Sequence, residues 1–195
     1  MVKHGMELID ADVIAREIVL PGTPTWKKIV EHFGRSMLDE YGFVDRRKLG
    51  QAVFADPGKR ALLNELTHPP VIEAIASQLE LLQCFDGVVV LDVPLLVEVG
   101  GGEIPISYDA VVVVASTPET QVQRLCRDRG MSEDDARARV AAQAPLADKL
   151  AVASYVIWNE GSLAEFEEAI DRVAADLLER ARAKAAAEAA DIPDN

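Results

Sequence analysis

Four short runs of apolar residues, Met6–Ile9, Val88–Leu91, Ala110–Val114 and Tyr155–Trp158, are largely continuous rather than alternating. This is the pattern of strands covered on both faces in a parallel sheet. Between the first two runs lies a helical stretch from Thr25 to about Cys84. It is punctuated by Pro21-Gly22, Gly34, Gly42, Asp56-Pro57-Gly58 and His68-Pro69-Pro70. That is too much chain for one crossover helix and predicts a helical subdomain, about 24–84, inserted between two strands. From Pro118 to Ala144 runs an arginine-rich helical segment, reopened midway by Ser132-Glu133-Asp134-Asp135, which resembles a capping box with Asp in place of Glu. After the fourth run, Leu163, Phe166, Ile170, Val173 and Leu177 recur at helical spacing and predict a helix packing one face on the body. The alanine-rich end beyond Arg182 is expected to be exposed and frayed. Strands alternating with helices predict an α/β fold with a doubly wound parallel sheet.

With 195 residues, 49% of them hydrophobic, the chain can bury one substantial core. A single domain over residues 1–180 is expected, with 181–195 as an alanine-rich tail. A net charge of −13, from 20 basic and 33 acidic residues, works against non-specific binding to nucleic acid or anionic membranes, so an anionic substrate needs a local basic patch. Cys84 and Cys126 show no metal-binding or C-x-x-C spacing; they are expected to fill the core of a protein in a reducing, cytoplasmic compartment. The longest apolar run, Gly87 to Val97, is broken by Asp92 and Pro94 and is far short of a membrane span.

In open α/β sheets ligands bind outside the carboxyl ends of the strands. The first run ends there on two acids, in Ile9-Asp10-Ala11-Asp12, with a helix starting at once. Either acid can cap that helix or meet a substrate. Arg16, four residues past Asp12, shares its helical face and can hold a phosphate or pair with that carboxylate. Arg124, Arg127, Arg129, Arg137 and Arg139 stand out against the acidic background. On their own they read as a solvated helical face paired to Glu133, Asp134 and Asp135. His68 beside Pro69 reads as a helix-boundary or packing residue, and Pro94 as a strand stop. No stretch satisfies Gly-x-x-x-x-Gly-Lys-Ser/Thr, the phosphate loop whose backbone N–H groups, lysine and hydroxyl hold phosphates and magnesium. Gly58-Lys59 is followed by Arg60, and Gly100-Gly101-Gly102 by Glu103.

Several stretches in order resemble the dephospho-coenzyme A kinase family from Leu8 to about Leu177. They are Ile9-Asp10-Ala11-Asp12 with Ala15-Arg16, Pro21-Gly22-Thr23-Pro24, Val44-Asp45-Arg46-Arg47-Lys48-Leu49, Val53-Phe54-Ala55-Asp56-Pro57, His68-Pro69 and Val93-Pro94-Leu95-Leu96-Val97-Glu98. Further on come Gln121-Val122-Gln123-Arg124-Leu125, Ala141-Ala142-Gln143-Ala144, Lys149-Leu150-Ala151-Val152-Ala153 and Ile157-Trp158-Asn159. The resemblance implies a P-loop-kinase-like three-layer parallel sheet with the inserted helical subdomain and an arginine-rich lid over about 117–145. It implies phosphorylation of the ribose 3′-hydroxyl of dephospho-coenzyme A by ATP, with Mg2+, the last step of coenzyme A synthesis. It assigns Asp12 as the base and Arg124 as the catalytic arginine. Asp10, Arg16, His68, Pro94, Leu95 and Glu98 fall on the acceptor side, and Arg127, Arg129, Arg139, Gln143 and Asn159 on the ATP and lid side. No protein metal ligand is assigned. Trp158 and Ser154 replace acids that the family carries beside the last strand. The family's first strand and phosphate loop would lie upstream of Met1, so Met1 is read as a late start that omits the central strand. Two other readings stay open: a module that binds dephospho-coenzyme A without ATP, and a kinase for another nucleotide or small molecule.

Overall fold

The computed structural model describes residues 1–100 and 104–190. The glycines at 101 and 102 and the tail from 191 to 195 lie outside the described residues. In chain order the elements are β1 (Glu7–Asp10), α1 (Ala11–Glu17), α2 (Pro24–Phe33), α3 (Arg46–Phe54), α4 (Pro57–Leu81), β2 (Val89–Asp92) and α5 (Leu96–Gly100). There follow β3 (Val112–Ala115), α6 (Pro118–Arg129), α7 (Glu133–Ala141), α8 (Leu146–Ala151), β4 (Tyr155–Trp158) and α9 (Leu163–Ala190). The first three strands start one or two residues later than their apolar runs. The reason lies in the ladder: Val88 and Val111 enter it through their carbonyls, which accept from Glu7 N and Tyr155 N.

The strands form two two-stranded sheets, β1–β2 and β3–β4. Among the described residues no strand supplies backbone partners to both β2 and β3. In β3–β4 the pairing is parallel, with Val112 opposite Tyr155 and Ala115 opposite Trp158.

The chain divides into two compact units. The first comprises Leu8–Asp86 and Leu91–Pro94 and takes in the helical stretch expected over 24–84. Its long helix α4 packs against α1, α2 and α3, burying Ile14, Ile29, Leu49 and Ile75. The helix starts follow from cap chemistry. Thr23 Oγ1 accepts from Trp26 N before Pro24, and Asp56 Oδ1 accepts from Gly58 N before the turn of Pro57. Gly42, with φ +86°, turns the loop between Leu38 and Val44, and its carbonyl accepts from Trp26 Nε1 at 2.9 Å. One expectation fails here: His68-Pro69-Pro70 does not interrupt the helix, because α4 runs through both prolines. The two missing N–H groups cost hydrogen bonds, but packing on three neighbouring helices holds the segments on either side.

The second unit comprises Met1–Glu7, Gly87–Val90 and Leu95–Asn195. Here α9 packs on β4, with Ile157, Ala115 and Ala174 buried. Leu163, expected on the packed face of α9, is 72% exposed because it begins the helix. The alanine-rich end is exposed as expected but not frayed, since α9 continues to Ala190. Alanine's high helix propensity favours this, and Lys184 Nζ anchors the segment on Asp109 at 2.6 Å. The cysteines also depart from expectation. Cys84 is exposed in the turn after α4 and Cys126 is half-buried, so neither fills the core. Among the described residues no helix is long and apolar enough to cross a membrane.

Candidate active site

At the strand ends of the first unit three carboxylates approach one another. Asp10 is the N-cap of α1, its Oδ1 accepting from Val13 N at 3.0 Å, so the capping role open to it in the sequence is real. Asp12, in the first turn, is exposed and makes no hydrogen bond or ion pair among the described residues. Asp92 ends β2, and its carboxyl is pushed above the usual carboxylate range. Crowding by surrounding protein is the main cause even though the side chain keeps substantial solvent exposure, and the charges of Asp10 and then Asp12 add to it. Sequence reasoning missed Asp92, reading it only as a break in an apolar run. The available signal was its place at the carboxyl end of a buried strand. Arg16 is exposed and does not pair with Asp12 or with any other carboxylate among the described residues. His68 sits half-buried within α4 and Pro94 is exposed just past β2.

In the second unit the half-buried Arg124 of α6 is oriented by neutral oxygens. Its Nη1 donates to Ser116 Oγ at 3.3 Å and its Nη2 to Asn159 Oδ1 at 3.2 Å. Ser116 Oγ in turn donates to the Asn159 carbonyl at 3.1 Å, and Gln121 Nε2 donates to the Ser116 carbonyl at 2.9 Å. Arg124 and Asn159, far apart in sequence, thus share one place at the ends of β3 and β4. Nearby, the Glu160 carboxylate accepts from Thr120 Oγ1 and from Thr117 N at the start of α6. These two contacts hold it below the usual range, with Arg124 adding a smaller effect. Ser154 Oγ accepts from Val111 N at 3.1 Å, and Trp158 is 46% exposed.

The remaining arginines separate by their partners. Arg127 binds the neighbouring Asp128 through Nε and Nη2, at 2.6 and 2.9 Å. Arg137 pairs with Glu133 at 2.7 Å, as the solvated-face reading anticipated. Arg129 and Arg139 make no hydrogen bond or ion pair among the described residues. Helix α6 ends on Gly130 at φ +62°, a left-handed C-cap suited to glycine. Ser132 Oγ accepts from Asp135 N at 3.1 Å to start α7, while Asp135 Oδ2 accepts from the Ser132 hydroxyl at 2.6 Å. The reciprocal cap therefore uses the hydroxyl, because Asp is one methylene shorter than Glu.

Glu98 of α5 is engaged within the same unit. Its Oε1 accepts from Lys149 Nζ at 2.8 Å and from Ala144 N at 3.2 Å, and Lys149 Nζ also donates to Gln143 Oε1 at 2.8 Å. Burial pushes the Glu98 carboxyl up, but the Lys149 ammonium and the backbone N–H donors outweigh it and hold the group below the usual range. Leu95, just before α5, is 50% exposed. Among the described residues no group of three or more His, Cys, Asp or Glu side chains is arranged to hold a metal ion.

Phosphoryl transfer in general needs a carboxylate that orients the acceptor hydroxyl and cationic donors that neutralise phosphoryl charge. A sequence model of dephospho-CoA kinase matches residues 1–165. The chain belongs to the dephospho-CoA kinase family. It is therefore a kinase, a transferase of coenzyme A biosynthesis. A dephospho-CoA kinase of Streptomyces avermitilis is 51% identical over 181 residues, covering 93% of this chain and 86% of that protein. One from Thermobifida fusca is 44% identical over 178 residues, covering 91% and 86%. Among solved structures, the dephospho-CoA kinase from Campylobacter jejuni superposes with a TM-score of 0.66 at 26% identity, covering 91% of this chain and 88% of that one. TT1252 from Thermus thermophilus gives a TM-score of 0.72 at 29% identity, covering 90% and 87%. The mixed α/β fold with parallel strands is shared with these structures.

Proposed function

We infer that this chain moves the terminal phosphoryl group of ATP to the ribose 3′-hydroxyl of dephospho-coenzyme A. The observation that carries the reading is the Asp12 carboxylate, exposed in the first turn of α1 just past β1 and engaged by no donor among the described residues. A carboxylate so placed can orient the acceptor hydroxyl and take its proton as the O–P bond forms. Asp10 anchors the turn that carries it. Arg16, one turn on and without a carboxylate partner among the described residues, meets acceptor phosphate, with His68 and Pro94 of the same unit on the acceptor side.

Arg124 is the charge-neutralising group on the ATP side. Two of its five N–H donors are held by Ser116 and Asn159, which leaves three for phosphoryl oxygens. Arg129 and Arg139, neither spent on a carboxylate, are the further lid contacts; Arg127, bound to Asp128, is the weaker candidate. Magnesium is held in such reactions mainly by phosphate oxygens and waters, with one or two carboxylates. The described residues offer no ready cage of three or more His, Cys, Asp or Glu side chains. The finer fold reading is a three-layer kinase sheet. The parallel pairing of β3 with β4 and the packing of α8 on β3 and of α9 on β4 support it.

A second reading is acceptor binding without turnover. It is favoured by the sequence, whose 195 residues contain no Gly-x-x-x-x-Gly-Lys-Ser/Thr. The purified chain is therefore incubated with ATP, Mg2+ and dephospho-coenzyme A, and with adenosine and nucleoside monophosphates as rival acceptors, and products are read by mass. Coenzyme A as the dominant product supports the reading. A preferred rival acceptor overturns the acceptor assignment, and binding of dephospho-coenzyme A without ATP binding or product establishes the second reading.

A further inference from the structure

The Glu98 cluster joins three pieces of one unit: α5, the Gln143–Ala144 link between α7 and α8, and α8 itself. Its side chains are enclosed, with Glu98 18% and Lys149 22% exposed. The Lys149 and Ala144 contacts of the Glu98 carboxylate both fall on Oε1. Removing one partner of such a pair leaves the other charge poorly solvated, so the two residues depend on each other. The link they grip begins directly after α7, the helix that carries Arg137 and Arg139. At its other end α7 is fixed by the Ser132 cap and packs on α6.

We propose that Glu98 and Lys149 form a latch that sets the position of α7 and of Gln143, making both positioning residues for the phosphoryl transfer. Glu98 then serves the reaction without touching the acceptor. The inference rests on the reading of 117–145 as the phosphate-facing segment. The competing role is direct contact with dephospho-coenzyme A through the other oxygen, Oε2. The two roles differ in what Lys149 does: in a latch it is an equal partner, and in a substrate contact it is a bystander.

The test compares Glu98→Gln, Lys149→Met, the double variant and Lys149→Arg in the full chain. Amide hydrogen exchange is followed over 142–151, and kcat and KM for ATP and for dephospho-coenzyme A are measured separately. A latch predicts that each single variant speeds exchange in this segment by about tenfold, with the double variant no worse than either. It also predicts that both singles shift kcat or the ATP KM alike, leave the acceptor KM unchanged, and that Lys149→Arg recovers most of the loss. Glu98→Gln raising only the acceptor KM while Lys149→Met leaves it alone would overturn the latch, as would additive effects or unchanged exchange. If the wild-type chain shows no turnover, the kinase reading fails on its own, and the exchange measurement still decides the latch.

Discussion

Replacing Arg124 by lysine keeps the positive charge and removes the planar fork. In the structure the guanidinium reaches Ser116 Oγ at 3.3 Å and Asn159 Oδ1 at 3.2 Å, and its other three N–H donors have no partner among the described residues. An ammonium on a flexible stem cannot span both neutral oxygens and still present a fixed donor array. The two lost contacts are long and half-exposed, so water replaces much of them. Folding stability should fall by only about 1 kcal/mol, or ~2–4 °C in Tm for a chain of this size. Catalysis should suffer more. Losing one preorganised donor to transition-state charge costs roughly 10²-fold in kcat, about 2.7 kcal/mol. Single-turnover formation of coenzyme A at saturating ATP, alongside a thermal melt, separates the two effects. A kcat unchanged by Arg124→Lys would refute the placement of this guanidinium on the transferring phosphoryl group.

Other outcomes follow from packing and charge. Ile29→Ala empties a fully buried site on α2 and should cost about 2–5 kcal/mol in denaturant unfolding; a loss under ~1 kcal/mol would contradict the assigned core. Glu160 is held below the usual range by Thr120 and Thr117, so it stabilises the fold above its unfolded value of about 4.3 and loses that contribution as pH falls through the folded value. Glu160→Gln should flatten the acid limb of the Tm–pH curve, and parallel curves would refute this. Asp92 is shifted the other way. Its penalty is absent at low pH, grows above the unfolded value of about 3.9 and is complete above the folded one. Asp92→Asn should therefore melt higher than wild type at pH 7, by less than ~1 kcal/mol in stability, and match it in acid; a lower Tm at pH 7 would contradict the crowding of the three carboxylates.

Local chemistry was legible in the chain because it acts over a few residues. The continuous apolar runs marked all four strands to within one or two positions, and Ser132-Glu133-Asp134-Asp135 marked a helix start that the structure confirms with a side-chain cap. Pro69-Pro70 misled because the packing that carries a helix through two prolines comes from residues distant in sequence. The same limit hid the approach of Asp92 to Asp10 and Asp12, the seating of Arg124 on Asn159 and the binding of Lys149 to Glu98. Each joins segments that only the fold brings together. Motif order pointed to the family, whereas division of the arginines into paired and unpaired needed the geometry of α6 and α7.

Turnover by Asp12→Asn tests the proposed base most directly. Wild-type chain and variant are given ATP, Mg2+ and dephospho-coenzyme A, coenzyme A is quantified by mass, and Tm is recorded for both. Because the carboxylate makes no hydrogen bond or ion pair among the described residues, the variant should melt with wild type while its rate falls by about 10²–10⁴-fold. Coenzyme A formed at the wild-type rate by a folded Asp12→Asn protein would contradict the assignment of the base at the end of β1.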